Sequence, residues 1–306
     1  MLALRLLGVP GVGPEDVLVS PDGSRVFTGT NDGSIWSLST DGSRIERVAR
    51  TGGRPLGLEW LPDGRLLVCD SPAGLLAVDL ATGAVEELVT EVDGVRMKFT
   101  NNAAVAEDGT IYFTDSSRRY SVAEWKSDLI AHTRSGRLLR RSPDGTVTTM
   151  LDGLAMSNGV ALTPDGQHVW VAETALARVR RLTADGRELA AITALPGYPD
   201  NLTTGSDGLV WVAVASPIDP VLGLLQGRGA RLRPAVLRMP DALKPKEKRT
   251  ARVLAYSPDG RLVHDLSGDA RQWHMATGAR ERDGRVWMGS ILEPAIAVMS
   301  VDGGSA

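Results

Sequence analysis

A chain of 306 residues with 42% hydrophobic side chains can bury a substantial core, and a net charge of -3 with a pI near 5.9 leaves no basic excess for nucleic acid. The single cysteine, Cys69, excludes an internal disulfide framework, and no apolar run approaches the roughly twenty residues of a membrane span. MLALRLLGVPGV at the N-terminus is too short to make a convincing signal peptide, so the expectation is a soluble, cytoplasmic protein without nucleic-acid or membrane partners.

One phrase returns along the chain: an Asp-Gly turn followed by a short apolar strand. It occurs at Asp22-Gly23, Asp63-Gly64, Asp108-Gly109, Asp165-Gly166, Asp207-Gly208 and Asp283-Gly284. Units at roughly forty-residue intervals predict a bladed propeller, here an all-β, six-bladed one forming a single domain over 1–306. Asp-Gly suits the positive φ angles of a type I′ hairpin turn. Unit one spans about 13–50, unit two 54–91 and unit three 98–152. Units four, five and six span about 155–192, 198–257 and 262–303.

Two units are too long. Unit three carries an insertion at 118–132, with Val122, Trp125 and Leu129 at helical spacing. Unit five carries one at 216–244, with Val221, Leu224 and Leu225 and later Val236 and Leu237. Short helical insertions in blades three and five are therefore expected, as surface excursions or as the walls of a pocket at one end of the channel. The basic runs at 137–141 and 244–249 read as solvated loops or strand edges. Cys69 lies in a strand-like run and reads as a buried, inert thiol.

The residues opening each unit carry the chemistry. Unit one has Glu15-Asp16, unit three Asn101-Asn102, unit four Asn158-Gly159 and unit five Asp200-Asn201. Taken singly, each reads as a turn residue bonding its local backbone. At equivalent repeat positions they would converge on one end of the axis as hard oxygen donors without a thiolate or imidazole. That is a Ca²⁺ set rather than a Zn²⁺ one. Glu15 and Asp200 together would also repel without a cation between them.

The phrases TNNAAVAEDGTIYFTDSSRRY, SNGVALTPDGQHVWVAET and LPGYPDNL resemble the strictosidine synthase-like family of six-bladed propellers, similar to the paraoxonases, gluconolactonases and diisopropyl fluorophosphatase. The resemblance runs from Gly13 to about Ser300 and implies an axial Ca²⁺ held by Glu15, Asn101, Asn158, Asp200 and Asn201. Asn102 stands where that family often has Asp, which puts a second, structural calcium in doubt. Pro55-Leu56-Gly57 lacks the histidine that paraoxonases use as a base. The stretch His274–Gly278 lacks the glutamate with which the plant alkaloid synthase moves a proton.

His132, His168 and His264 read as solvated or structural; His274 opens the sixth unit and is either structural or a base. Asp115 and Ser116 are either structural or part of the pocket. The resulting expectation is a calcium-dependent hydrolase of lactones or related esters. Its catalytic residues would be Asp200 and His274, and Trp125 or the unit-five insertion would wall the pocket. The alternatives are a non-catalytic ligand- or protein-binding propeller with a structural ion, and a lyase or synthase of specialised metabolism.

Overall fold

Each repeated turn leads into a second strand rich in apolar residues, and that second strand explains the architecture. RVFTG, LLVCDS, IYFTD, HVWVAE, VWVAVASP and RVWMGS are buried almost throughout. A strand buried on both faces needs a sheet covered on both sides. The computed structural model, which describes residues 1–240, 243–244 and 246–304, supplies this by setting six small antiparallel sheets around an axis. Six apolar clusters fill the gaps between neighbouring sheets, and a seventh lies over one end of the axis. Outermost strands such as Ile45–Arg50 and Leu262–Ser267 face solvent.

Within a blade the chain runs from the axis outward. Blade two is Arg54–Trp60, Leu66–Ser71, Gly74–Val78 and Val85–Val89, in that spatial order. Blade four has three strands, and the isolated bridges Val179↔Ile192 and Leu182↔Glu188 stand in for a fourth. Blade six runs Ala276–Arg282, Arg285–Ser290 and Ala295–Ser300, and its outer strand is Arg5–Gly8 from the N-terminus. The ring is thus closed by hydrogen bonds between the two ends of the chain.

This closure shifts the expected phasing. Leu262–Ser267 does not open blade six; it is the outer strand of blade five, paired with Arg252–Tyr256. The same Pro-Asp-Gly phrase at 258–260 joins these two outer strands, so the motif alone does not say which strand pair it connects.

The turns also differ from expectation. Only Asp283-Gly284, among the six repeats, has positive φ at both residues. In the others Gly alone is left-handed, as at Ser20–Gly23, where Gly23 N–H bonds Ser20 O at 2.9 Å and Ser20 N–H bonds Arg25 O at 2.8 Å. That is a type I turn closed by a left-handed glycine. Its aspartate bonds the chain beyond the turn. Asp22 Oδ1 accepts from Ser24 N at 3.0 Å, and Asp63 and Asp108 likewise accept from the backbone two residues on.

These turns join the first and second strands, so they all lie at the end opposite the openings of the inner strands. Connections between second and third strands return to the opening end. Both insertions, at 116–135 and 218–251, occupy such connections and so lie over that end. Blade three contributes α1 (Trp125–Ala131), and blade five contributes α2 (Pro220–Gln226) and α3 (Arg233–Leu237). The buried side of α2 is Leu222 and Leu225; Val221 and Leu224, from the expected apolar set, are exposed. No helix among the described residues is long and apolar enough to cross a membrane.

Candidate axial cation site and its cavity

The inner strands open with a break in register in blades two to six, for example between Pro55 and Leu58, Thr100 and Ala103, and Pro199 and Leu202. Such bulges re-aim a side chain away from the regular pleat. Here they turn one residue per blade toward the axis. Glu15, Leu56, Asn101, Asn158, Asp200 and Thr277 all line one cavity of about 910 Å³, counted to its open mouth. The inner strands can approach this closely only beside glycine. A Cβ on Gly159 would lie 2.0 Å from Leu202 N, and one on Gly57 would lie 2.7 Å from Asn101 O.

Leu56 and Thr277 complete the ring, although sequence reasoning did not single them out as site residues. A signal existed: the ring residue lies eight positions before the glycine of the Asp-Gly turn in blades one to five. It lies seven before it in blade six, where the type I′ turn is shorter.

The amides of Asn101, Asn158 and the adjacent Asn201 each bond a neighbour through the amide nitrogen and leave the oxygen unpaired. Asn101 Nδ2 donates to Ser116 Oγ at 2.9 Å, and Ser116 Oγ donates to Ser157 O. Asn201 Nδ2 donates to Glu15 Oε1 at 3.1 Å, and Asn158 hydrogen-bonds Asp200. Among the buried oxygens left without a partner are Glu15 Oε2, Asn101 Oδ1, Asn158 Oδ1 and Asn201 Oδ1, along with Asp16 Oδ1 next to Glu15. Unpaired buried acceptors are costly, and four at one spot are hard donors arranged for a cation. The residues present fit Ca²⁺.

The charges agree. Burial pushes the Glu15 carboxyl well above its usual range, helped by Asp200 and Asp16 and opposed by Arg54 and Asn201. Burial raises Asp200 to about 8, against the Asn158 hydrogen bond. The neighbouring Asp16 is pushed to about 6 by burial, with Arg280 pulling it down. A cation would relieve all three.

Neighbouring positions do different work. Asp16 Oδ2 accepts from Leu58 N at 3.0 Å, and Asn102 Oδ1 accepts from Val160 N at 2.9 Å. Each clasps the inner strand of the next blade, so the Asn102 carbonyl is already engaged. Asp115 forms a buried ion pair with Arg137 at 2.8 Å and is structural. Arg137, expected in a solvated basic run, is instead buried by this pairing. Cys69 is fully buried, and its thiol is pushed well up by desolvation.

Of its two expected roles, His274 has the geometry of the structural one. It precedes the inner strand of blade six, at the site's end of the molecule, but it does not line the cavity. Its Nδ1 bonds Glu293, and its Nε2 lies 3.3 Å from Arg249 Nη1. This hydrogen bond turns the imidazole away from the ring. Of the other histidines, His132 caps α1 and His264 stacks on Trp211 with ring centroids 5.8 Å apart.

Above the ring the walls are apolar. Phe99, Val122, Trp125, Leu129 and Ile130 come from blade three and its insertion, with Met156, Tyr198, Leu222 and Met275 opposite. Met156 and Met275 both have φ of 60°, a conformation costing of order 1 kcal/mol that here directs the chain into the wall. Lys126 and Glu247, paired at 2.7 Å, join the two insertions at the rim.

The comparisons match this architecture. Residues 22–219 match the SMP-30/Gluconolactonase/LRE-like region, and residues 1–38 match the strictosidine synthase-like N-terminal region. Strictosidine synthase-like protein 6 of Arabidopsis thaliana is 31% identical over 91% of this chain and 78% of its own length. The adipocyte plasma membrane-associated protein of Rattus norvegicus is 33% identical over 94% of this chain and 83% of its own. Among solved structures, a gluconolactonase from Xanthomonas campestris superposes with a TM-score of 0.70 at 18% identity, covering 98% of this chain and 89% of that one. The calcium-binding protein regucalcin from Agrobacterium tumefaciens does so at 0.67 and 16%, covering 97% and 93%. At these identities the two structures establish the fold alone. On its matched region and its curated relatives, the chain belongs to the SMP-30/gluconolactonase/LRE-like family and to the strictosidine synthase-like proteins.

Proposed function

We propose that the protein is a calcium-dependent hydrolase of lactones or related esters. The observation that carries this reading is the set of unpaired buried oxygens at the floor of an apolar cavity: Glu15, Asn101 and Asn158 line it, and Asn201, bonded to Glu15, lies beside them. With Asp200 they would hold the ion, which when bound acts as a Lewis acid toward a carbonyl or phosphoryl oxygen. Calcium-binding regucalcin and a gluconolactonase among the fold neighbours support the reading.

The chain's own groups divide the remaining work. Asp200 is the proton acceptor for the attacking water, since it is the ring carboxylate bonded to a cavity-lining amide, Asn158. His274 has no part in this step because its ring faces Glu293. Leu56, Phe99 and Trp125 exclude water and accept an apolar substituent of the substrate. Ser116 orients the Asn101 amide from behind. The test is hydrolysis of a small lactone and aryl-ester panel with Ca²⁺, then with chelator. Turnover that vanishes with chelator and returns with Ca²⁺ is the expected result; turnover indifferent to both refutes the reading.

A second reading is a non-catalytic propeller with a structural ion, favoured by the lack of histidine among the described residues of the cavity wall. There, chelation lowers the melting temperature and no ester or lactone turns over. A synthase of specialised metabolism would work in chelator and require a second substrate.

A further inference from the structure

The blade-five insertion has two apolar sides. One faces the cavity and the α1 helix through Leu222 and Leu225. The other is bare: Val221 and Leu224, three residues apart on α2, are each 53% exposed, and Ile218, just before the helix, is 42% exposed. Leu232 and Leu243 follow at 56% and 66%. Among the described residues fifteen large hydrophobic side chains are exposed, and six of them lie within residues 218–243. Scattered exposed leucines are ordinary, but a concentration on one short insertion is a contact surface.

The charge of the same segment says what contacts it. The protein as a whole has a net charge of -3, yet residues 217–250 hold eight Lys and Arg against three Asp and Glu. Arg228, Arg231, Arg238, Lys246 and Lys248, interleaved in sequence with the bare apolar residues, are exposed, Lys246 at the cavity rim. Of the acids, Asp219 is spent capping α2 through Val221 N at 2.7 Å and Leu222 N at 3.2 Å. Glu247 is spent on Lys126. Apolar side chains interleaved with exposed cations suit an interface where acyl chains lie beneath anionic headgroups.

We propose that the outer face of the blade-five insertion docks the protein on an anionic lipid surface, as a peripheral contact rather than a span. The insertion that walls the cavity then rests at the bilayer, where apolar substrates are concentrated. Docking does not depend on the hydrolytic reading and is measured without turnover.

The experiment is sedimentation of the purified full chain with vesicles of phosphatidylcholine alone, or of phosphatidylcholine with phosphatidylglycerol, at low and high salt. Binding to the anionic vesicles, weakened by salt, is expected. The double variant Arg228→Gln with Arg231→Gln should partition about thirtyfold more weakly. Val221→Ser with Leu224→Ser should weaken partitioning at least about tenfold. Both variants should melt as the parent does, because none of the four side chains is buried. Equal binding to both vesicle types, no binding, or binding unchanged in both variants overturns the proposal. So does a concentration-dependent dimer that Val221→Ser with Leu224→Ser abolishes, since a second copy would then cover this face.

Discussion

The floor and the roof of the cavity are built by opposite means. The floor is six copies of one position, set in blades two to six by a bulge at the start of the inner strand and locked by backbone bonds from neighbouring blades. Thr277 Oγ1 donates to Glu15 O at 2.7 Å and Ser290 N to Pro14 O at 2.6 Å, so blade six holds blade one's carboxylate in place. The roof comes from two unrelated insertions whose helices, at seven, seven and five residues, are too short to stand without packing. Side-chain burial around Leu129, Ile130, Leu222 and Leu225 holds them. Oxygen chemistry therefore sits where the repeat forces convergence, and apolar selection sits where the repeat is interrupted.

Two buried aspartates at the site's end sharpen the contrast. Asp115 meets a guanidinium and is complete as it stands. Asp200 meets an amide and other carboxylates, and is completed only by something added.

The floor should fail first. Asp200→Asn should lower turnover about thousandfold or more, the combined scale of a lost base and a lost electrostatic contact. Its melting temperature in chelator should hold or rise, because a buried acid is removed. Unchanged turnover would assign the chemistry elsewhere. Ser116→Ala frees the Asn101 amide to rotate and should weaken Ca²⁺ affinity about tenfold to hundredfold, read by calorimetric titration. Identical affinity would mean that backbone alone orients the ring.

The roof should give smaller, substrate-dependent effects. Trp125→Ala should lower kcat/KM about tenfold for esters with a large apolar group, and little for small ones. Equal loss on both would show that the roof acts on the floor rather than on the substrate.

The smallest effect is a pH slope. In chelator Asp200 keeps its proton up to about pH 8, whereas the unfolded chain releases it near 4. The folded state then binds the extra proton in between, so stability falls as pH rises from about 4 to about 8. Melting temperature should drop by a few degrees across that window in chelator, and Ca²⁺ should flatten the slope. A flat profile in chelator would contradict the unrelieved charge at the floor.

The sequence by itself determined the propeller, its six units and most of the floor. A repeat writes equivalent positions at equal spacing, and closure then brings them to one axis whatever the side chains between. The Asp-Gly phrase alone could not phase blades five and six, because Asp259-Gly260 joins outer strands with the same residues that Asp22-Gly23 uses at the axis. Only the tertiary structure decided that Arg5–Gly8 closes the ring, since that pairing joins residues nearly three hundred positions apart. It also decided that His274 turns to Glu293, and that Leu222 and Leu225, rather than Val221 and Leu224, face inward. Those outcomes depend on what each side chain meets across the fold, and helical spacing or strand position does not encode a partner distant in the chain.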